Sequence, residues 1–482
     1  MAVTLLVAAC SADDGQDGQS ANQEPDTYGR LSIRIALPEA SSQTRTISGT
    51  EWEEGATEER AVNSYYLLIC NGNQIVEVIK GGTAESGSHD NTKNHYISSA
   101  EIESKALPTG TYTFTIYCLA NFTDAMLAEA GLTVSGGTIS DTTLPSGFEE
   151  KAITIANTAG IPSGGIPMTG KLEKTVTISS GTTDLGEPIV LWRAMAKVEF
   201  RFFSAATTDV KVTKIKLHHI TNSPVYLLSK RDLSQDGSNR DTYRSDHIPL
   251  FPEDNGQVGT ANGYATEDYE YILPDGGLNV GTSITSETQA LSTSLYINES
   301  KADDISQKIS FTLTTERTAS DGTTKTVDEN YLLTDLAFIL RNDHVIIPVC
   351  FTDYIFSPAF ALYPPIGGYP DSEITETDNT FYYQVTPSDD EFIVIPNLYN
   401  SLNNERIAIA SSKGGTAQNI VNWDYTLSEG LTLTEEPQFI NDNVIKDTFK
   451  SGKEGTITFT FTFDNGTFKL ERKVYIVIKN KN

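Results

Sequence analysis

Ile457-Thr458-Phe459-Thr460-Phe461-Thr462-Phe463 alternates apolar and polar residues without a break. A period of two belongs to a strand with one face buried and the other in water. The same rhythm runs through Tyr112-Thr113-Phe114-Thr115-Ile116-Tyr117-Cys118, where residues 112, 114, 116 and 118 face one way and Thr113 and Thr115 the other. Thr, Tyr, Phe, Val and Ile are favoured on such pleated, half-buried surfaces. Turn residues punctuate the runs, as in Asp464-Asn465-Gly466 between two strand-like segments. Helical pattern is scarce. Asp124 to Ala130 is long enough for two turns, and Gly131 stops it. The fold class read from this pattern is all-β, a series of β-sandwiches.

A chain of 482 residues makes about three domains. After a leader and acidic tether over 1–29, strands fill 30–188. A second set opens at Ile189-Val190-Leu191-Trp192 and covers 189–362. Pro358, Pro364, Pro365, Gly367, Gly368 and Pro370 mark the next boundary. The last block, 363–482, has the size of one immunoglobulin-like sandwich, with Trp423 as its expected core tryptophan.

Lys+Arg total 35 and Asp+Glu 64, a net charge of −29. Such a surface repels phosphate backbones, so nucleic acid is not an expected partner. The four cysteines, Cys10, Cys70, Cys118 and Cys350, are too sparse for a disulfide scaffold. One bridge between Cys70 and Cys118 remains open, and two unpaired buried thiols is the favoured reading. No CxxC pair is present and the histidines make no zinc pattern. His218-His219 lies in an alternating run, which turns the two rings to opposite faces. Asp232-Leu233-Ser234-Gln235-Asp236-Gly237 opens like a calcium loop, but its twelfth position is Tyr243 rather than Glu.

The sequence has no Gly-x-Ser-x-Gly elbow, P-loop or His-Glu-x-x-His. Glu53/Glu54 and Asp389/Asp390 read as solvated surface. No enzyme activity, metal or cofactor is expected. Tyr363, Tyr369, Tyr382 and Tyr383 cluster near the last boundary and could stack on a sugar, although strand propensity accounts for them without a ligand.

The apolar run Val3 to Ala9 is too short to span a bilayer and reads as the core of a secretory signal. No Lys or Arg precedes Cys10, so the true start is expected upstream. Val7-Ala8-Ala9-Cys10 resembles a bacterial lipobox, which implies lipidation of Cys10 and attachment to the outer membrane through the acyl chains. The acidic stretch Ser11, Asp13, Asp14, Asp17 resembles the surface-export signal of Bacteroidota lipoproteins.

Leu31, Ile33, Ile35 and Leu37 then fall on one face of a first strand that Pro38 ends. Burying four such side chains at roughly 1.5–3 kcal/mol each stabilises the strand by about 6–12 kcal/mol before entropy. The mostly polar stretch from Pro38 to Val62 is longer than ordinary connections of about 4–6 residues. Its Glu51, Glu53, Glu54, Glu58 and Glu59 predict a solvated, accessible loop.

Five segments, in order over residues 1–370, resemble the fimbrillins of Bacteroidales, the lipoprotein pilins of type V pili. They are Val62-Asn63-Ser64-Tyr65-Tyr66-Leu67-Leu68-Ile69; Leu107-Pro108-Thr109-Gly110-Thr111-Tyr112 leading into Tyr117-Cys118-Leu119-Ala120-Asn121; Ile166-Pro167-Met168-Thr169-Gly170; Trp192-Arg193-Ala194-Met195-Ala196-Lys197-Val198; and Arg341-Asn342-Asp343-His344 before Val345. The last block, 370–482, lies outside the resemblance.

The resemblance implies two tandem fimbrillin-type, transthyretin-like sandwiches ahead of the immunoglobulin-like domain. It also implies cleavage after an arginine in the loop that follows the first strand. Arg45 is the preferred cut and Arg60 the alternative, lying two residues from the next strand. The first strand would leave with the lipid, and a neighbouring fimbrial subunit would fill its place by strand exchange. That mechanism asks for a greasy strand at the edge of its sheet. Ile33 and Ile35 in water, or a central position with partners on both flanks, would overturn the expectation of an edge ribbon that is swapped for a foreign one. The final hairpin, 456–463 and 467–478, leaves only Lys479-Asn480-Lys481-Asn482 as a tail, so a tip or accessory subunit is expected rather than a strand-donating stalk subunit. A host or bacterial surface ligand, glycan or protein, is a further expected partner; the alternative is a non-polymerising, glycan-binding surface lipoprotein that keeps its first strand.

Overall fold

The computed structural model describes residues 27–38, 44–46, 49–51, 57–84, 86–90, 95–99, 101–221, 224–228, 266–282, 284–301, 309–318, 322–332, 338–339, 341–356, 359–363, 382–385, 391–400, 405–440, 445–448, 454–466 and 469–478. Among the described residues strand accounts for 58% and helix for 6%, so the fold is all-β, built as layered sheets, with no barrel among those residues. Among the described residues, buried side chains gather into three clusters, spanning 31–296, 196–351 and 394–478. No described helix is long and apolar enough to cross a membrane.

The first cluster lies between two sheets. One runs Trp192–Arg193, Met168–Ile178, Gly110–Ala120, Tyr65–Asn71, Gln74–Gly81 in spatial order. Its long central pair holds register from Gly110↔Ile178 to Ala120↔Met168. Outward threonines meet across that pair, Thr111 with Thr177 at 2.9 Å and Thr113 with Thr175 at 2.8 Å. Inward, Phe114, Ile116 and Cys118 are buried, as their alternation predicts. The opposing layer is built around residues 28–38. The helix forms at Asp124–Glu129, where the Thr123 hydroxyl accepts the Met126 N–H at 3.3 Å and Gly131 leaves with φ +84°.

The second cluster surrounds Phe200, Phe202, Phe311 and Phe351, with Phe200 edge-on to Phe311 at 5.0 Å. Its first sheet centres on Ala196–Ser204, antiparallel to Leu291–Ile297 and parallel to His344–Phe351. The facing sheet runs Thr266–Ile272, Asp209–Thr221, Ser310–Thr318, Thr324–Leu332. Short segments stitch the first two blocks together. Thr158–Ala159 pairs with Leu291–Ile297, and Ala152–Ile153 with Val225–Tyr226.

The third cluster lies under the hairpin Gly455–Asp464 and Lys469–Ile478. The second arm of that hairpin is also flanked in parallel by Tyr382–Val385. Ala359–Tyr363, Glu391–Ile395, Ile445–Thr448 and Gln438–Phe439 make another sheet of this block. Trp423 is in this core, its indole N–H donating to the Ala410 carbonyl at 2.9 Å.

Candidate functional site: the seat of the first strand

Residues 28–38 form two collinear strands, Tyr28–Ile33 and Ile35–Pro38, broken at Arg34. Leu31, Ile33 and Ile35 are fully buried and Leu37 is 1% exposed. Ser32 and Ala36, on the other face, are buried too. Burial on both faces shows a strand covered above and below its sheet.

The pairing corrects the expectation of an edge strand. One flank is antiparallel: Leu107–Pro108, Ile102–Glu103 and His95–Ser98. The other is parallel: Gly181–Asp184 and Ile189–Val190. Backbone bonds close both sides, from Ser104 N–H to the Leu31 carbonyl at 2.9 Å, and from Ile189 and Leu191 N–H to the Arg34 and Ala36 carbonyls at 2.8 and 3.0 Å. Where the antiparallel flank drifts away, hydroxyls complete the ladder. Ser104 Oγ accepts the Leu31 N–H at 2.9 Å and Ser98 Oγ the Ile35 N–H at 3.2 Å. Among the described residues, Ile102–Glu103, Leu107–Pro108, Gly181–Asp184 and Ile189–Val190 have no strand partner except this ribbon. The ribbon is therefore the keystone of its layer, and the slot it fills has two hydrogen-bonding walls.

The stretch that follows also differs from a solvated loop. Thr44–Thr46 lies parallel to the start of His344–Phe351, with Arg45 opposite Val345, and Gly49–Glu51 folds back on it. It covers the outer edge of a buried strand that would otherwise present unpaired backbone groups. The backbone of Arg45 thus lies between two strands of the second sandwich. Thr57–Arg60 is a single 3-10 turn. Arg60 is half-buried, its guanidinium 4.5 Å above the Tyr96 ring, beside the strand that flanks Leu37.

Glu59, expected in water, is 6% exposed. Its carboxylate accepts from Tyr296 Oη at 2.7 Å and meets Lys197 Nζ at 2.8 Å, while its carbonyl accepts from Arg193 Nε at 2.7 Å. Burial alone raises its pKa; the bonds from Lys197 and Tyr296 with the charges of Lys197 and Arg193 outweigh that and hold the carboxyl below its ordinary value. Lys197 also reaches Glu199 at 3.3 Å, and Glu199 pairs with His344 Nε2 at 2.8 Å and Arg201 Nε at 2.9 Å. Against the burial penalty, those partners bring the Glu199 carboxyl down to about 2. Arg193, desolvated first and supported by Glu59, falls to about 10 and donates to Asn342 Oδ1 at 2.8 Å. The gap left among these side chains is about 20 Å³, room for about one water and no ligand.

The five sequence segments meet here. Asn121, at φ +59°, ends the strand Gly110–Ala120 and turns its side chain inward. Its Oδ1 accepts the Asn63 N–H at 2.8 Å, and its Nδ2 donates to the carbonyls of Ala61 at 2.8 Å and Ile166 at 2.9 Å. The first three segments thereby share one amide, and the fourth and fifth share the Lys197–Glu199–His344 cluster. Arg341 Nε donates to Glu299 Oε1 at 2.6 Å beside it. Glu59 and Glu199 carried no sequence signal: the first sits in a run of glutamates, the second in ordinary strand alternation. Asn121 could have been found as a polar residue closing an apolar strand.

Other sequence candidates are not brought to this place. Cys10, Asp232 to Tyr243, Tyr369, Glu53, Glu54, Asp389 and Asp390 lie outside the described residues. Cys70 and Cys118 are buried and unbridged, burial pushing the Cys70 thiol up to about 12. The strict alternation read at His218-His219 fails. A bulge falls between Leu217 and Ile220, with His219 at φ +60°, and it leaves both Leu217 and His218 buried. His218 is held by Asp268 at 3.0 Å and Thr312 at 2.7 Å. No cluster of three or more metal-ligating side chains occurs among the described residues.

No family model matches the chain, and no curated protein matches it at a significant level. Solved structures do match. A fimbrial assembly protein from Parabacteroides distasonis is 11% identical with a TM-score of 0.35, covering 78% of this chain and 98% of its own. A candidate cell adhesion protein from the same species is 10% identical with a TM-score of 0.33, covering 73% and 96%. One from Bacteroides fragilis is 12% identical with a TM-score of 0.32, covering 67% and 92%. At identities near one in ten, the reading of function rests on the geometry.

Proposed function

We propose that the chain is a structural and adhesive subunit of a cell-surface pilus, made as a lipoprotein precursor and assembled by replacement of its first strand. The observation that carries this reading is the keystone position of residues 28–38, which four flanking strands have as their only strand partner among the described residues. Without the ribbon, an apolar slot with two unsatisfied walls remains, and a foreign strand satisfies floor and walls together. Central placement is the outcome that the strand-exchange expectation named against itself, so loss of the ribbon from a sheet edge is given up. Exchange must instead begin with a chain cut between 39 and 61, at Arg45 or at Arg60, that makes the ribbon a separate, replaceable piece. The partners are other fimbrial subunits. An accessory or tip role belongs to the same proposal, and the strand Lys469–Ile478, paired on both sides, is not offered for donation. Lipidation at Cys10, with attachment of the precursor to the outer membrane, belongs to the same proposal, as do the domain limits 30–188, 189–362 and 363–482.

Two observations favour a second reading, a surface protein that keeps its strand and binds a glycan or protein ligand: the ribbon has partners on both sides, and Arg45 is paired within a strand. Limited digestion with an arginine-specific protease, followed by intact-mass measurement, separates the two. A single cut at Arg45 or Arg60, with loss of the N-terminal peptide when partner pilin is added, supports the pilus subunit. An uncut segment, or surface-extracted protein that retains residues 28–38, contradicts it.

A further inference from the structure

Resting on that strand-replacement reading, we infer that the slot selects its occupant by sequence: a glycine at the place of Gly29, basic side chains at the places of Arg30 and Arg34, and a residue with an N–H at the places of Leu31 and Ile35. The glycine requirement is steric. Gly29 is pressed against the turn after Met168–Ile178, and a Cβ there would lie 1.9 Å from the Ser179 carbonyl oxygen, 2.8 Å from Ile178 Cγ2 and 2.9 Å from the Gly181 carbonyl oxygen. Two of these three atoms are backbone, so no side chain enters without moving the wall.

The charge requirement comes from the rim. Arg30 Nη1 meets Glu103 Oε2 at 3.4 Å, and Arg34 Nη2 meets Asp184 Oδ2 at 3.1 Å on the opposite wall. Glu101 already accepts the Ser32 hydroxyl at 2.7 Å. An occupant with acidic residues at either place would set like charges together at the rim of a chain whose net charge is −29. The N–H requirement follows from Ser104 Oγ and Ser98 Oγ, which accept from Leu31 and Ile35 and exclude proline there.

The occupant is therefore a strand of another protein reading Gly, basic, apolar, small and not acidic, apolar, basic, apolar, small, apolar. Partial matches occur within this chain, and two show what is missing. Ala196-Lys197-Val198-Glu199-Phe200-Arg201-Phe202 has the cations but lacks the glycine, puts Glu199 where Ser32 faces Glu101, and is locked in its own core. Gly455 to Phe463 has the glycine and the alternation but threonines in place of the cations, and is paired on both sides. Neither is free to serve a second copy.

The test uses the full-length chain, cut between residues 39 and 61 by an arginine-specific protease or at a sequence-specific protease site inserted there. It is offered fluorescent peptides spanning residues 27–38. The native peptide and its Arg30→Lys/Arg34→Lys form are expected to be taken up and retained. Arg30→Glu/Arg34→Glu should lose about tenfold or more in retention, since two half-exposed ion pairs become repulsive, and Gly29→Val should not be retained. The protein variant Glu103→Lys/Asp184→Lys should reverse the preference toward the acidic peptide. Equal retention of all peptides, or no reversal in that variant, overturns the sequence selection and leaves strand replacement standing. Failure of the native peptide itself to enter overturns the replacement reading first.

Discussion

The two strands that open the first two sandwiches occupy equivalent places and are held by different physics. Residues 28–38 and Ala196–Ser204 are both central, each antiparallel to one neighbour and parallel to the other. The second is unbroken and bolted by charge: Lys197 meets Glu59 and Glu199, and Glu199 meets Arg201 and His344, with little access to water. The first is interrupted at Arg34, and its walls are short pieces patched with serine hydroxyls. Its ion pairs, Arg30–Glu103 and Arg34–Asp184, are half-exposed. Buried charges demand their own partners, because an unpaired one is costly. Apolar contacts and half-exposed ion pairs accept any strand of the right pattern. If the first strand is exchanged as proposed, tight burial and replacement coexist in one sheet, with the specificity at the rim.

The largest expected effect comes from removing residues 28–38 by cutting and competition. The first sandwich should lose its cooperative unfolding transition while the second keeps its own, read by calorimetry; loss of both together would erase the distinction. Next, Phe200→Ala should destabilise the second sandwich by about 3–5 kcal/mol, whereas Ile33→Ala should cost the first about 2–4 kcal/mol and be rescued when native-sequence peptide 27–38 is added to the cut protein. Rescue is the discriminating result, since no peptide can enter the place of Phe200.

Acid should also separate the two. The Glu199 carboxyl, held at about 2 against an ordinary value near 4.5, contributes stability that is complete above the unfolded value. That contribution is lost as pH falls from about 4.5 toward 2. It is worth about 3 kcal/mol. Glu199→Gln should flatten the acid dependence of the second sandwich in denaturant titrations between those pH values and leave the first unchanged. The smallest effect belongs to Arg34→Ala, about 0–1 kcal/mol and weaker still in high salt. A larger value would mean that the rim holds its strand as firmly as the buried cluster does.

The sequence displayed the strands themselves and the apolar face of the first one. Leu31, Ile33, Ile35 and Leu37 are buried as their spacing required, and the helix after Thr123 and the final hairpin stand where their turn residues placed them. Position within the sheet was not legible from alternation, which reports faces and not neighbours. The clue lay in the residues between the aliphatics, since Gly29, Ser32 and Ala36 are small enough for a strand packed on every side. Thr44–Thr46 was hidden because three residues are too few to show a period. Glu59 was hidden because its burial depends on Lys197 and Tyr296, more than a hundred residues away.

If the two sandwiches differ as described, the first strand can be replaced while the second cannot. Mass spectrometry of the cut, full-length protein incubated with an isotope-labelled copy of residues 27–38 tests this directly. The heavy strand is expected to displace the light one, and the protein recovered by size exclusion to be folded and to carry the label. A light strand that stays in place, or one that leaves with no heavy strand taken up, would contradict it.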